Sequence, residues 1–280
     1  MRPFVDFVQQ EALPWEPGFL PGTSRRILSA DDESGASSEI VNLPPGWTQP
    51  APRVLGAAEE VFVLAGSVAI AGQQLGRFGY ARFPESYEIA HASSGPGAIV
   101  ATFYSRDPAT PPESDWDRRM FVPAIDCLRC EASPLRTPGF TSNAKRIDLF
   151  DDPDTGESTW ILANAALRCD ELRPEKHPVV EEMILLAGEM HSPFGIMRPG
   201  AYFWRPEHEW HGPFGVVAGG VGLYRTQGGP LSTVYADEWT DFVWEPEYAP
   251  VLPDRYRPGV AAHARYDDLA AWGAPGHLAG

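Results

Sequence analysis

Two carboxylates and a histidine crowd the start of an apolar run in PEKHPVVEEMILLAG, residues 174–188: Glu175, His177 and Glu181. A second histidine, His211, follows 34 residues after His177. Along an extended chain alternate side chains share a face, so Glu175 and His177 can converge. Past the turn at Pro178, Glu181, Met183 and Leu185 would share the inward face of a strand. Two imidazoles with one or two carboxylates suit Fe(II), Mn(II) or Zn(II), with positions left for substrate or oxygen. The same residues also read as a solvated charged turn ahead of a strand, and their types alone leave both readings open. His208, in PEHEWH, is a further candidate as ligand or acid–base group. Tyr202 and Trp204 alternate in phase and are expected to point inward. With Trp160, Phe214 and Tyr224 they would line an apolar pocket, or equally fill a core.

The elements that would position these residues occur twice. RILSADDESGAS from Arg26 and RIDLFDDPDTGES from Arg146 share an Arg-Ile, a paired Asp, a Gly and a Ser, 120 residues apart. EEVFVLAGSV from Glu59 matches EEMILLAGEM from Glu181, 122 residues apart, and GYARFPES from Gly79 parallels GAYFWRPEH from Gly200. Three blocks in one order indicate a duplicated domain of roughly 110 to 120 residues rather than a short solenoid repeat. Each copy is built of short apolar runs broken by Gly and Pro, the signature of strands in a sandwich or barrel. The second copy's run STWILANAALRCDEL is read as strand. Aligning the copies places Pro52 and Val54, or Arg53 and Leu55, against Glu175 and His177. Glu59 stands against Glu181, and Ile89 or Ala90 against His211, with His91 displaced. The first copy therefore lacks a metal site and is expected to serve packing, dimerisation or pocket closure.

Composition narrows the partners. The 280-residue chain carries a net charge of −16, which would repel the phosphates of nucleic acid and of an anionic membrane. No segment reaches the ~18 apolar residues of a membrane span, and MRPFVDFVQQEALPW has no apolar core of signal-peptide type, so a cytoplasmic location is expected. Three cysteines are too few for a disulfide scaffold. Cys127 and Cys130 form a lone CxxC with no second pair to complete a zinc site.

The second copy reads Glu175-x-His177-x3-Glu181-x6-Gly188, then Gly200-x5-Pro206-x-His208-x2-His211-x3-Gly215. These spacings resemble the two signature motifs of the cupin superfamily, G-x5-HxH-x3or4-E-x6-G and G-x5-PxG-x2-H-x3-N. With the repeat, the chain looks like a bicupin. The resemblance implies an all-β fold of two tandem cupin domains, each a double-stranded β-helix or jelly roll. Expected boundaries are 1–122 for a domain that has lost its ligands, 123–235 for the metal domain and 236–280 for an extension, with a short helix over 266–272. Departures are Cys169 for the leading Gly, Glu175 for the first His, His208 for the Gly and Gly215 for the Asn. Carried over position by position, the resemblance implies Glu175, His177, Glu181 and His211 as ligands. Glu175 and His208 are the candidate catalytic groups.

The resemblance to cupins that cleave acetylacetone and dihydroxyacetophenone implies an Fe(II) dioxygenase that breaks a C–C bond in a β-dicarbonyl or hydroxy-ketone. The alternatives are a redox-neutral Zn(II) or Mn(II) isomerase, lyase or decarboxylase, a metal-binding sensor of the anti-sigma-factor type, and a metal-free structural bicupin. The expected partners are a small-molecule substrate and, by the family's habit, a second copy in a homodimer.

Overall fold

A computed structural model describes residues 2–134, 144–166, 171–216 and 218–259. Their regular elements are β-strands, with short 3-10 turns as the helical elements among the described residues. Among them no helix is long and apolar enough to cross a membrane. The helix expected over 266–272 and Cys169 lie outside the described residues.

The chain divides into two compact units. One holds Arg2 and Leu13–Cys130; the other holds Pro3–Ala12 and the described residues of Glu131–Tyr266. Each contains one seven-stranded sheet. In the first unit the order is Val122–Asp126, Gly79–Phe83, Glu59–Gly66, Ala98–Tyr104, Ser37–Leu43, Ser24–Ala30 and Glu16–Pro17. In the second it is Val5–Gln9, Ala201–Arg205, Val180–Gly188, Gly220–Gln227, Ser158–Asn164, Ala144–Asp151 and Ser133–Pro134. The two orders match strand for strand, so the repeat read in the sequence is a repeat of topology. One strand breaks the chain order. Val5–Gln9, counted with the first copy in the sequence, pairs antiparallel with Ala201–Arg205 and completes the second unit's sheet.

Each large sheet packs its inner face against smaller ones to enclose a core. In the first unit Val61, Val63, Phe83 and Val100 meet Trp47, Val68, Ile70 and Ala92 from the short strands. In the second, Met183, Leu185, Phe203 and Trp160 meet Met190 and Met197. Alternation along Val180–Gly188 sets the parity: Met183 and Leu185 face the core, so Glu181 does too, while Glu182 turns outward. Equivalent outward contacts recur, the Tyr80 hydroxyl donating to Glu60 at 2.7 Å and the Tyr202 hydroxyl to Glu182 at 2.8 Å. The described residues 236–259 belong to the second unit: Thr240–Asp241 pairs with Glu171–Leu172, and Tyr248 packs edge-on against Phe7.

The paired LAG sequences end the equivalent strands for a steric reason. Gly66 and Gly188 have φ of 71° and 77°, and a Cβ on either would overlap the carbonyl oxygen of Gly97 or Gly219 on the neighbouring strand. Gly46 has a similar φ of 76° with nothing within 4 Å of its Cβ position. Gly66→Ala and Gly188→Ala are therefore expected to lose about 2 kcal/mol or more in urea denaturation, against about 1 kcal/mol for Gly46→Ala.

Candidate metal centre

The short strand Glu175–Lys176 and the segment around His211 are joined by a two-way backbone bond. The Glu175 N–H donates to the His211 carbonyl and the His211 N–H to the Glu175 carbonyl, each at 2.9 Å. Directly opposed residues of an antiparallel pair project to the same side, so Glu175 and His211 both enter the barrel. His177, two residues along, faces the same way, and its carbonyl accepts the His208 N–H at 2.7 Å. Across from them, the inward parity of Val180–Gly188 delivers Glu181.

Hydrogen bonds fix both imidazoles. His177 Nδ1 lies 2.9 Å from the Ser232 carbonyl and His211 Nδ1 lies 2.9 Å from the Glu209 carbonyl. A carbonyl only accepts, so each Nδ1 carries the proton and each Nε2 presents a lone pair. Both Nε2 atoms are buried without a hydrogen-bond partner. Glu181 Oε2 stands 3.5 Å from His177 Nε2 and 3.9 Å from His211 Nε2, and Glu175 Oε1 stands 4.0 Å from His211 Nε2. One donor atom each from Glu175, His177 and His211 falls within a 4.8 Å spread. With metal–ligand bonds of about 2.1 Å, adjacent donors sit about 3 Å apart and opposite ones about 4.2 Å, so this set fits a divalent ion. Two buried, inward lone pairs without hydrogen-bond donors suit a metal ion.

Electrostatics agree with that fit. Burial, then the nearby Glu181 charge, holds the Glu175 carboxyl up to about 7. Burial, then Arg205 and His177, pushes His211 down to about 2, so its ring is neutral and ready to ligate. Arg205, directly opposite Glu181 in the sheet, brings Nη1 to 3.7 Å from Glu181 Oε2. Tyr235 pairs with Glu175, and burial followed by the Glu175 charge pushes its phenol up to about 12.

The four ligand candidates are thus brought together, with the aromatic candidates divided. Trp160 and Tyr224 are buried in the second unit's core and stack at 5.6 Å, and Phe214 packs 5.9 Å from the His211 ring. Tyr202 and Trp204 do not point inward: Glu182 pairs with Trp204, and the inward residues of that strand are Ala201, Phe203 and Arg205. The His208 ring is exposed. Its backbone sits at φ 64°, the left-handed region that suits the glycine of the motif, and its N–H bonds the His177 carbonyl. Cys127 is buried and Cys130 partly so; among the described residues neither joins a group of three metal-ligating side chains. Arg205 and Tyr235 were missed. Arg205 was findable as the residue where the copies differ in charge, since Phe83 stands opposite Glu59 as Arg205 stands opposite Glu181.

The first unit resolves the two alignments. Arg53 pairs with Ile89 as Glu175 bridges to His211, so the equivalent positions are Arg53, Leu55, Glu59 and Ile89. Arg53 Nη2 reaches Glu59 Oε2 at 2.7 Å, closing a buried ion pair where the second unit gathers ligands.

No family model matches the sequence, and no curated protein matches it significantly. Solved structures do. A candidate dioxygenase from Nostoc punctiforme superposes with a TM-score of 0.71 at 20% identity, over 86% of this chain and 91% of that one. Oxalate decarboxylase from Bacillus subtilis gives 0.53 at 12% identity, over 82% and 78%. Vicilin from hazelnut, Corylus avellana, gives 0.52 at 12%, over 82% and 87%. The chain has the two-barrel cupin fold that these neighbours share.

Purified protein is expected to bind about one divalent ion per chain. His177→Ala and His211→Ala should each weaken that binding by about 100-fold or more, while Glu59→Gln leaves it unchanged, as read by metal analysis after dialysis. Because a proton on Glu175 competes with metal, apparent affinity should rise as pH climbs to about 7 and then level off. Glu175→Gln should remove that break in a titration across pH 5.5 to 8.

Proposed function

We propose that the second barrel is the active site of a metal-dependent enzyme acting on a small organic substrate, most consistent with an Fe(II) dioxygenase that cleaves a C–C bond in a β-dicarbonyl or hydroxy-ketone. The observation that carries the reading is the pair of buried, proton-free Nε2 atoms converging on Glu175 and Glu181. A divalent ion held by His177, His211, Glu181 and Glu175 would supply Lewis acidity toward an enolisable carbonyl and, as iron, a redox couple for dioxygen. The chain's own residues do the rest. The Ser232 and Glu209 carbonyls hold the imidazoles in one tautomer. Trp160, Tyr224 and Phe203 wall the site with buried aromatic surface that keeps water out. For a β-dicarbonyl the balance is one C–C bond broken per O2, one oxygen atom leaving in a carboxylic acid and the other in a 2-oxoaldehyde.

A redox-neutral reading has its own support. The Glu175 side chain is partly exposed, and burial of its carboxyl holds it near 7, a value suited to moving a proton at a substrate carbon. In that case Zn(II) or Mn(II) would serve, in an isomerase, lyase or decarboxylase. Oxygen uptake decides between them. With Fe(II) and a panel of diketones, the dioxygenase should consume one O2 per substrate, with His177→Ala abolishing uptake. Equal turnover under argon with Zn(II) or Mn(II) would overturn it in favour of proton chemistry.

A further inference from the structure

The first unit, which lacks the metal ligands, encloses a cavity, and the strand pairing shows why. Val61 stands opposite Thr102 and Thr102 opposite Glu39, as Met183 stands opposite Tyr224 and Tyr224 opposite Trp160. The second barrel fills this level with the stacked rings of Trp160 and Tyr224. The first places a threonine and a glutamate there, and space opens between them. Along Ala98–Tyr104 the lining changes from apolar, Val100 beside Val41, to polar, Thr102 beside Glu39 and Tyr104 beside Glu59. The cavity comprises about 500 Å³ of atom-free space, its open mouth included. Room for whole molecules within it is far smaller, so its occupant is small. Phe19, 37% exposed, marks the mouth, with Leu20 and Arg53 partly exposed beside it.

Glu39 lines this cavity, is 1% exposed and is only half satisfied. Its Oε1 accepts from Arg25 Nη1 at 2.7 Å and from the Ser37 hydroxyl at 2.9 Å. Its Oε2 is buried without a hydrogen-bond partner. A carboxylate oxygen left so is costly, and a donor brought into the cavity would relieve it. Charge calls for no ion. Glu39 has Arg25 at 2.7 Å, which also meets the exposed Glu16 at 3.2 Å, and Glu59 has Arg53 at 2.7 Å. With both buried acids paired, an added charge of either sign would enter the barrel uncompensated. Val41, Val61, Ile70 and Val100 offer an apolar wall to the rest of the occupant.

We propose that the first barrel is a binding site for a small uncharged alcohol, its hydroxyl donating to Glu39 Oε2 and its hydrocarbon body lying against Val41, Ile70 and Val100. The site belongs to the unit without metal ligands, so it stands independently of the metal-enzyme reading. A ketone of the same shape fits less well, because a carbonyl oxygen only accepts and would face another acceptor.

Cyclopentanol and cyclopentanone are close in size and differ in that donor. Each is titrated into the full-length protein, with binding read by saturation-transfer NMR. Working at pH 8 keeps the Glu39 carboxyl, which burial raises against the pull of Arg25, ionised. Wild type should bind the alcohol about 10-fold tighter than the ketone. In Glu39→Gln, Arg25 and Ser37 hold the amide oxygen and an NH2 group replaces Oε2, so the preference should vanish or reverse. Thr102→Tyr gives the position the ring that Tyr224 supplies in the second barrel and should abolish binding of both compounds. Val100→Phe serves the same purpose if that variant fails to fold. Equal affinity for the two compounds in wild type would overturn the proposal, as would no binding of either, the result for a cavity that holds water alone. An alcohol preference that survives in folded Glu39→Gln, or binding that survives in a folded cavity-filling variant, would overturn it too.

Discussion

The two backbone hydrogen bonds between Glu175 and His211 are the constraint on which the site depends. They tie together segments 36 residues apart and set both side chains on one side of the pair. His177 then follows by alternation, and its carbonyl is held by the His208 N–H, so the second motif's turn braces the first motif's strand. Glu181 comes from a different sheet, whose register is fixed by the apolar run that buries Met183 and Leu185. A slip of one residue in that register would put Glu182 in place of Glu181 but turn Met183 and Leu185 out of the core, so the apolar residues rather than the acids hold the register.

The same backbone frame, used twice, holds opposite electrostatics. In the first unit the frame presents Arg53, Leu55, Glu59 and Ile89, and the retained glutamate is answered within the protein by a guanidinium at 2.7 Å. In the second, the acid stands where the arginine was and the cation moves across the barrel to the strand opposite Glu181. A buried carboxylate must have a counter-charge somewhere. In one barrel it lies at hydrogen-bond distance; in the other the guanidinium stands 3.7 Å from the acid.

Much of this was legible in the residues. The repeat blocks, the strand-rich composition and the motif spacings point to two β-barrels, and the ligand candidates lie together because a spacing of two or four along a strand translates directly into a face. What stayed hidden has physical reasons. Tyr202 and Trp204 share a parity, but which parity faces inward is decided by the pairing of Glu181 with Arg205, a long-range contact no local pattern encodes. His208 looks like chemistry by type and is backbone geometry by φ. Tyr235 lies outside the repeated blocks, so nothing in the comparison of copies pointed to it. The choice between Arg53–Leu55 and its one-residue shift likewise needed the ladder with Ile89.

The strand Val5–Gln9 has a consequence for how the protein is made. It supplies Phe7 to the core of the second barrel and pairs Gln9 with Ala201, so a strand made before the first barrel waits for a partner 192 residues later in the sequence. At typical elongation rates that is a wait of roughly 10 to 40 seconds. During it an entire barrel's worth of chain is synthesised between the two edge partners, with the central strand Gly220–Gln227 still to follow. The order of synthesis and the order of strands in the sheet therefore part at this edge, where a strand made early must be kept for one made late.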